Sequence, residues 1–384
     1  MTNTILIVDD LPMNLEVLFE FLSGVGFEVN VAVDGESAIQ QARYIPQPDL
    51  ILLDVMMPGM DGFETCRRLK SEEQLQAIPV IFMTALTDTV DKVRGFSLGA
   101  VDYITKPLQH EEVLARVNTH LSLKNLQKQL QSQNEQLQIL TERLQSELYL
   151  ARQIQQRLLP AARPNWSALD VICHNEPANE VSGDFYTYYQ QDDTYIVAVG
   201  DVSGKGMPAA LLMAVSFTSL QSSIGQMLSP DKALALLHEA ILPYTSCTRQ
   251  NCALVYVEFI ATETGWLMVG ANAGCVSPLI RRSGGQVEWV DVGGLPLGTA
   301  TTSHYPKLQI ELQAGDLVVL SSDGVIEATN AEGEMFGFDR LEEMVTHCPH
   351  TTAQAMLTHL QREISTFVGS AEAHDDLTVV IIKI

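Results

Sequence analysis

The sequence predicts two folded domains of different class joined by a helix: an α/β domain with a parallel sheet over residues 1–120, a helical linker over 121–159, and a β-rich α+β domain over 160–384. Three observations carry that reading. Short apolar runs alternate with helix-patterned segments in the first third, which implies a parallel sheet covered on both faces. Leu and Gln at helical spacing then dominate a stretch almost free of Gly and Pro, and the remainder consists of β-like runs joined by Gly-containing turns.

In the first domain the expected strands are Thr4 to Val8, Glu28 to Ala32, Leu50 to Leu53, Val80 to Met83 and Asp102 to Ile104. Those at Thr4 to Val8, Leu50 to Leu53 and Val80 to Met83 are short apolar runs of the kind a buried parallel strand requires. In the linker, Leu123, Leu126, Leu130, Leu137, Leu140 and Leu144 keep a 3-4 spacing, with Gln133 in the remaining core position. This predicts a two-stranded parallel coiled coil and hence a homodimer. The pattern skips one residue before Leu148, Ala151, Ile154 and Leu158, so a local change of winding is expected there. Pro160, Pro164 and Trp166 end the helix and open the last domain.

Composition narrows the function. A formal net charge of −24 opposes contact with nucleic acid or anionic membrane surfaces, because phosphate binding needs clustered Lys and Arg. The six cysteines form no C-x-x-C pair and read as reduced, mostly packed thiols. No basic leader is apparent and no apolar run approaches the roughly 18 residues of a membrane span. The expectation is a soluble, cytoplasmic protein.

Two groups of acids stand out. In the first domain, strands end in Asp9-Asp10, Asp54, Thr84 and Lys106. Carboxylates gathered at one sheet edge need a counter-cation, and oxygen ligands suit Mg²⁺. Asp9 and Asp10 would hold the ion while Asp54 attacks a phosphoryl group in line. Thr84 and Lys106 would then stabilise the phosphoryl oxygens. In the last domain, Asp184, Asp201, Asp323 and Asp375 each adjoin a buried-type strand. Projecting into one cleft, they would suit two Mg²⁺ or Mn²⁺ ions. Two such ions, about 3.5–4 Å apart, activate water for attack on a phosphate ester.

The motifs V-D-D, L-L-D-V-M-M-P-G-M-D-G, M-T-A and K-P fall in order over residues 1–120 and resemble the receiver domain of two-component response regulators. The resemblance implies a flavodoxin-like (βα)5 fold and phosphorylation of Asp54 by a cognate histidine kinase. It also implies a Mg²⁺ ligand from the Met56 carbonyl, a cis Lys106-Pro107 turn, and Tyr103 as an aromatic switch.

Residues 160–384 carry A-N-E-V-S-G-D-F-Y, G-D-V-S-G-K-G-M-P-A-A-L-L-M-A, N-A-G-C, G-L-P-L-G, G-D-L-V-V-L-S-S-D-G-V-I-E-A and D-D-L-T-V, preceded by A-R-Q-I-Q-Q-R-L-L-P. This set resembles the PPM-type Ser/Thr protein phosphatases of the SpoIIE/RsbU-like branch. It implies a β-sandwich flanked by helices and direct hydrolysis at a metal pair. Asp184 and Asp201 would hold that pair with the Val202 carbonyl, and Asp323 and Asp375 would complete it. Asp376 would be a further ligand or a structural neighbour. The implied substrate is a phosphorylated STAS-type anti-sigma-factor antagonist. Ser182 and Cys275 depart from the usual Gly and His without removing a carboxylate, and Lys205 is a candidate phosphate contact or a helix-capping residue. The rival function is a pseudo-phosphatase adaptor that binds a partner on receiver phosphorylation.

Overall fold

The computed structural model describes residues 3–44, 46–85, 89–226, 228–299, 304–348, 352–371 and 375–384. The chain divides into two compact units, Met1–Thr141 and Glu142–Ile384.

In the first unit the order is β1 (Thr4–Val8), α1 (Pro12–Val25), β2 (Glu28–Ala32), α2 (Gly35–Ala42), β3 (Leu50–Asp54), α3 (Gly62–Ser71), β4 (Val80–Thr84), α4 (Thr89–Ser97), β5 (Asp102–Thr105) and α5 (His110–Leu158). The strands form one parallel sheet in the order β2-β1-β3-β4-β5. Successive strand side chains point to opposite faces, and both faces of β1, β3 and β4 are buried. Leu6, Val8, Ile51 and Leu53 pack against α2 and α3, whereas Ile5, Ile7, Leu50 and Leu52 pack against α1 and the start of α5. The chain changes winding direction between β1 and β3, which opens a crevice beyond their carboxyl ends.

The helix α5 buries Val113, Val117 and Leu121 in the first unit's core and then continues with Leu123, Leu126, Leu130, Leu137, Leu140 and Leu144 each more than half exposed. Its 49 residues span about 74 Å at the α-helical rise. The helix stays α-helical through the skip after Leu144.

The second unit continues with β6 (Asp170–Glu176), β7 (Phe185–Gln191), β8 (Thr194–Val202), α6 (Met207–Ile224), α7 (Pro230–Thr248), β9 (Cys252–Thr262), β10 (Gly265–Ala273), β11 (Leu279–Arg281), β12 (Val287–Trp289), β13 (Leu308–Leu312), β14 (Leu317–Ser321), a 3-10 turn at Asp323–Val325, α8 (Gly337–His347), α9 (Ala353–Val368) and β15 (Leu377–Lys383). Two five-stranded sheets form, ordered β13-β10-β9-β8-β7 and β12-β11-β14-β15-β6. Period-two alternation assigns each residue to a layer. Val197 and Val199 of β8 meet Val318, Leu320, Val380 and Ile382 of the other sheet between the layers. Ile196 and Ala198 face α6 and α7 on one outside, and Val319, Val379 and Ile381 face α8 and α9 on the other. The unit is thus a β-sandwich flanked by helices.

Among the described residues one helix, α6, is long and apolar enough to cross a membrane by length and composition, against the expectation that no apolar run approaches a membrane span. Its Ala209, Leu212, Met213, Phe217 and Leu220 are spent on the core against β7, β8 and α7.

Candidate functional site

Asp9, Asp10 and Asp54 lie at the carboxyl ends of β1 and β3. Each offers one oxygen, and the three oxygens fall within 4.8 Å of one another. Asp54 is only 3 % exposed. Lys106 places its Nζ 2.9 Å from both Asp9 Oδ2 and Asp54 Oδ2. Burial raises the Asp54 carboxyl above the ordinary carboxylate range; Lys106 draws it back and the Asp9 charge adds to the rise. Burial also opposes the charge on Lys106, but its bonds to Asp9 and Asp54 outweigh that and hold the ammonium above its usual range. One lysine faces three acids, so the all-oxygen set retains surplus negative charge and fits a hard divalent cation.

Backbone geometry around these groups is tight. The Asp9 carboxylate also accepts from Leu11 N and from Asn14 Nδ2; Asn14 was not singled out from the sequence, although it stands within one helical turn of the acid pair. A Cβ on Gly62 would strike the Asp54 carbonyl, so the D-G pair at Asp61-Gly62 serves a close approach as well as the start of α3. The side chain of Met56 is exposed, and its N–H donates to the Asp54 carboxylate. Thr84 is buried at the end of β4, and its carbonyl accepts from Lys106 N at 2.8 Å. The Lys106-Pro107 peptide is cis. Tyr103 is half-buried, edge-on to the Phe96 ring at 6.1 Å and 5.7 Å from the Arg116 guanidinium.

In the sandwich, four of the five expected acids form a contiguous group. Asp184 precedes β7, Asp201 ends β8, Asp323 starts the 3-10 turn after β14, and Asp375 precedes β15. Asp201 hydrogen-bonds with Asp184 on one side and Asp323 on the other. Burial, reinforced by the Asp323 charge, pushes the Asp201 carboxyl up to about 8. Asp184, 1 % exposed, is raised well above its ordinary value by burial and by Asp201. Asp323 is raised by burial, with Asp375 adding to it. Carboxyls that must share protons to coexist are a donor set suited to hard divalent ions, which would take the protons' place.

Asp184 is aimed by its neighbours. Its Oδ2 accepts from Ser322 Oγ at 2.6 Å, and Thr378 gives it a second side-chain hydrogen bond. Ser322 and Thr378 were missed in the sequence, where only their adjacency to S-D-G and D-D-L-T could have flagged them. Asp376 is engaged otherwise: Oδ1 accepts from Ala178 N at 2.8 Å and Oδ2 from Gly183 N at 2.7 Å. A Cβ on Gly183 would lie 2.6 Å from the Val202 carbonyl oxygen, and one on Gly324 would collide with the Asp376 carbonyl. The glycines of S-G-D and D-G-V therefore let backbones touch. Lys205 Nζ lies 3.6 Å from Asp375 Oδ2. The Cys275 thiol contacts the Ser321 carbonyl and is pushed well up by burial and by Asp201 and Asp184, so it is a packed thiol rather than a nucleophile.

Two family models match the chain: Response regulator receiver domain over residues 5–118 and Stage II sporulation protein E (SpoIIE) over residues 191–384. Response regulator PleD of Caulobacter vibrioides is 44% identical over 119 residues, 31% of this chain and 26% of that protein. The DNA-binding dual master transcriptional regulator RpaA of Synechocystis is 46% identical over 117 residues, 30% of this chain and 48% of its own length. The chain thus spans about a quarter to a half of these relatives, within the receiver. The solved SiaA-PP2C domain of Pseudomonas aeruginosa is 22% identical, with a TM-score of 0.55, covering 64% of this chain and 98% of that one; it shares the fold. The chain belongs to the SpoIIE family, with a response-regulator receiver domain ahead of a PPM-type phosphatase domain.

Proposed function

We propose that the chain is a response regulator in which phosphorylation of Asp54 by a cognate histidine kinase controls a metal-dependent protein serine/threonine phosphatase. The domains are taken as receiver 1–120, linker 121–159 and phosphatase 160–384. The observation that carries the reading is the run of touching carboxyls Asp184, Asp201 and Asp323, with Asp375 beside them. Such a group is electrostatically costly unless protons or cations neutralise it, and strongly perturbed groups of this kind cluster at functional sites.

In the phosphatase, Asp184, Asp201, Asp323, Asp375 and the Val202 carbonyl would hold two Mn²⁺ or Mg²⁺ ions. When bound, these ions supply charge for the phosphoryl oxygens and activate the attacking water. The chain's own groups fix the geometry. Ser322 and Thr378 orient Asp184, Asp201 stands between the outer acids, and Asp376 braces the Gly183 backbone. Lys205, at the rim, meets the incoming phosphate. In the receiver, Asp9, Asp10, Asp54 and the Met56 carbonyl would hold Mg²⁺. Lys106 and Thr84 receive the phosphoryl oxygens on Asp54, and movement of Thr84 draws in Tyr103. The substrate is a phosphoserine or phosphothreonine on a STAS-type anti-sigma-factor antagonist, and the exposed leucines of α5 pair two copies in the cytoplasm.

The test is Mn²⁺- and Mg²⁺-dependent phosphate release from a phosphorylated STAS protein, with and without a beryllofluoride mimic on Asp54. Release should change with the mimic, and Asp201→Asn and Asp323→Asn should abolish it while retaining the fold. Activity retained in both variants would overturn the metal assignment.

A further inference from the structure

The loop that carries Asp184 is held from an unexpected direction. Its backbone groups can be accounted for one by one. Gly183 N donates to Asp376, Gly183 O accepts from Val202 N at 3.3 Å, and Asp184 N donates to Ser182 Oγ at 3.0 Å. The two backbone groups of Ser182 go to a single side chain, that of Gln155 on α5. Gln155 Nε2 donates to Ser182 O at 2.6 Å, and Ser182 N donates to Gln155 Oε1 at 2.9 Å. Gln155 is 8 % exposed on a helix whose neighbouring side chains, Ile154 and Leu150, lie in solvent.

We infer that Gln155 is a positioning residue for the acid cluster: it clamps the backbone two residues before Asp184 and makes the last turn of the linker helix part of the site's support. The inference rests on the phosphatase reading proposed above. A primary carboxamide presents a fixed N–H donor and C=O acceptor side by side, which is the pair that the carbonyl and N–H of Ser182 take up. A carboxylate would keep the N–H but face the Ser182 carbonyl with negative charge, and an aliphatic side chain would leave both groups buried and unpaired.

The clamp also registers the helix. Leu159 packs among residues of both cores of the sandwich, and Tyr186 Oη donates to the Pro160 carbonyl at 2.9 Å. Hydrogen bonds of 2.6 and 2.9 Å do not survive an axial shift of one residue's rise, about 1.5 Å. A shift or rotation of α5 in this turn therefore acts on Ser182, Gly183 and Asp184 together. Gly183 in turn abuts the Val202 carbonyl, so two proposed metal-binding groups respond to one side chain on the linker.

The experiment uses the full chain with Gln155→Leu and Gln155→Glu. Free Mn²⁺ is followed by electron paramagnetic resonance, and kcat and KM are measured on para-nitrophenyl phosphate. Both variants should bind Mn²⁺ about tenfold more weakly, the scale of lost outer-shell support, with kcat reduced and KM within about twofold. Hydrogen exchange in the peptide covering residues 177–184 should accelerate at least tenfold while β14 exchanges as in the unsubstituted protein. Unchanged exchange in residues 177–184, or Mn²⁺ affinity and kcat equal to those of the unsubstituted chain, would overturn the inference. An unsubstituted chain that binds no more than the one Mn²⁺ taken by the receiver would refute the phosphatase reading instead, and the exchange measurement would still decide the clamp.

Discussion

Replacing Asp201 by Asn should make the metal-free phosphatase unit more stable while destroying its site. The Asp201 carboxyl stands at about 8 in the folded chain, against about 3.9 in an unfolded one. The folded state therefore keeps a proton between roughly pH 4 and pH 8 that the unfolded state has released, and stability falls as pH rises through that window. The slope is at most about 1.4 kcal/mol per pH unit, or about 3 kcal/mol between pH 5 and pH 7.5. Asn does not titrate. Because Asp184 and Asp323 share the same protons, part of the repulsion persists in the variant, and a gain of about 2 kcal/mol at pH 7.5 is expected, vanishing near pH 4–5. Guanidinium unfolding in EDTA reads this directly by tryptophan fluorescence, since Trp166, Trp266 and Trp289 all belong to the second unit. Mn²⁺ should reverse the ranking: at a hundred times its dissociation constant it stabilises the unsubstituted chain by about 2.7 kcal/mol and the variant by much less. Equal stabilities at pH 7.5 without metal, or an equal response to Mn²⁺, would refute the reasoning.

Lys106→Met removes the cation shared by buried Asp9 and Asp54 and should cost the metal-free receiver about 3 kcal/mol at neutral pH, with Mg²⁺ recovering part of it in a thermal melt. Asp376→Ala should destabilise the phosphatase unit by about 3 kcal/mol because two backbone N–H groups lose a charged acceptor. Asp375→Ala, a partly exposed acid paired at 3.6 Å with Lys205, should change stability by less than about 1 kcal/mol; similar losses in the two variants would contradict the brace. Leu137→Lys on the exposed face of α5 should convert a dimer to a monomer in light scattering at micromolar concentration, and an unchanged mass would count against the coiled coil.

Much of the architecture is written locally. Ile5 to Asp10 and Leu50 to Asp54 are apolar on both faces and end in acid, so a buried parallel strand and a charged edge follow from five or six residues. In β8 and β15 both faces are apolar, so the runs mark buried strands without saying which residues face the other sheet and which the helices. What escaped is long-range. Ser322 reaches Asp184 across 138 positions, Asp376 reaches Gly183 across 193, and Gln155 reaches Ser182 across 27. A hydrogen bond from a side chain to a distant backbone leaves no periodicity, and Asn, Gln and Ser in such places look like surface polar residues. The glycines misled differently: Gly324 after Asp323 reads as a turn, yet its want of a side chain lets the Asp376 backbone press against it.

The place of β15 has a consequence for synthesis. It follows the other described strands of its domain in the chain, yet lies inside its sheet between β14 and β6. Until it emerges, β6 has no partner, although β6 was made some two hundred residues earlier, and the unpaired edge is open to association with other nascent chains. Asp375 and Asp376 arrive just ahead of that strand. A ribosome carrying only the preceding residues therefore holds neither a closed sandwich nor a complete acid cluster.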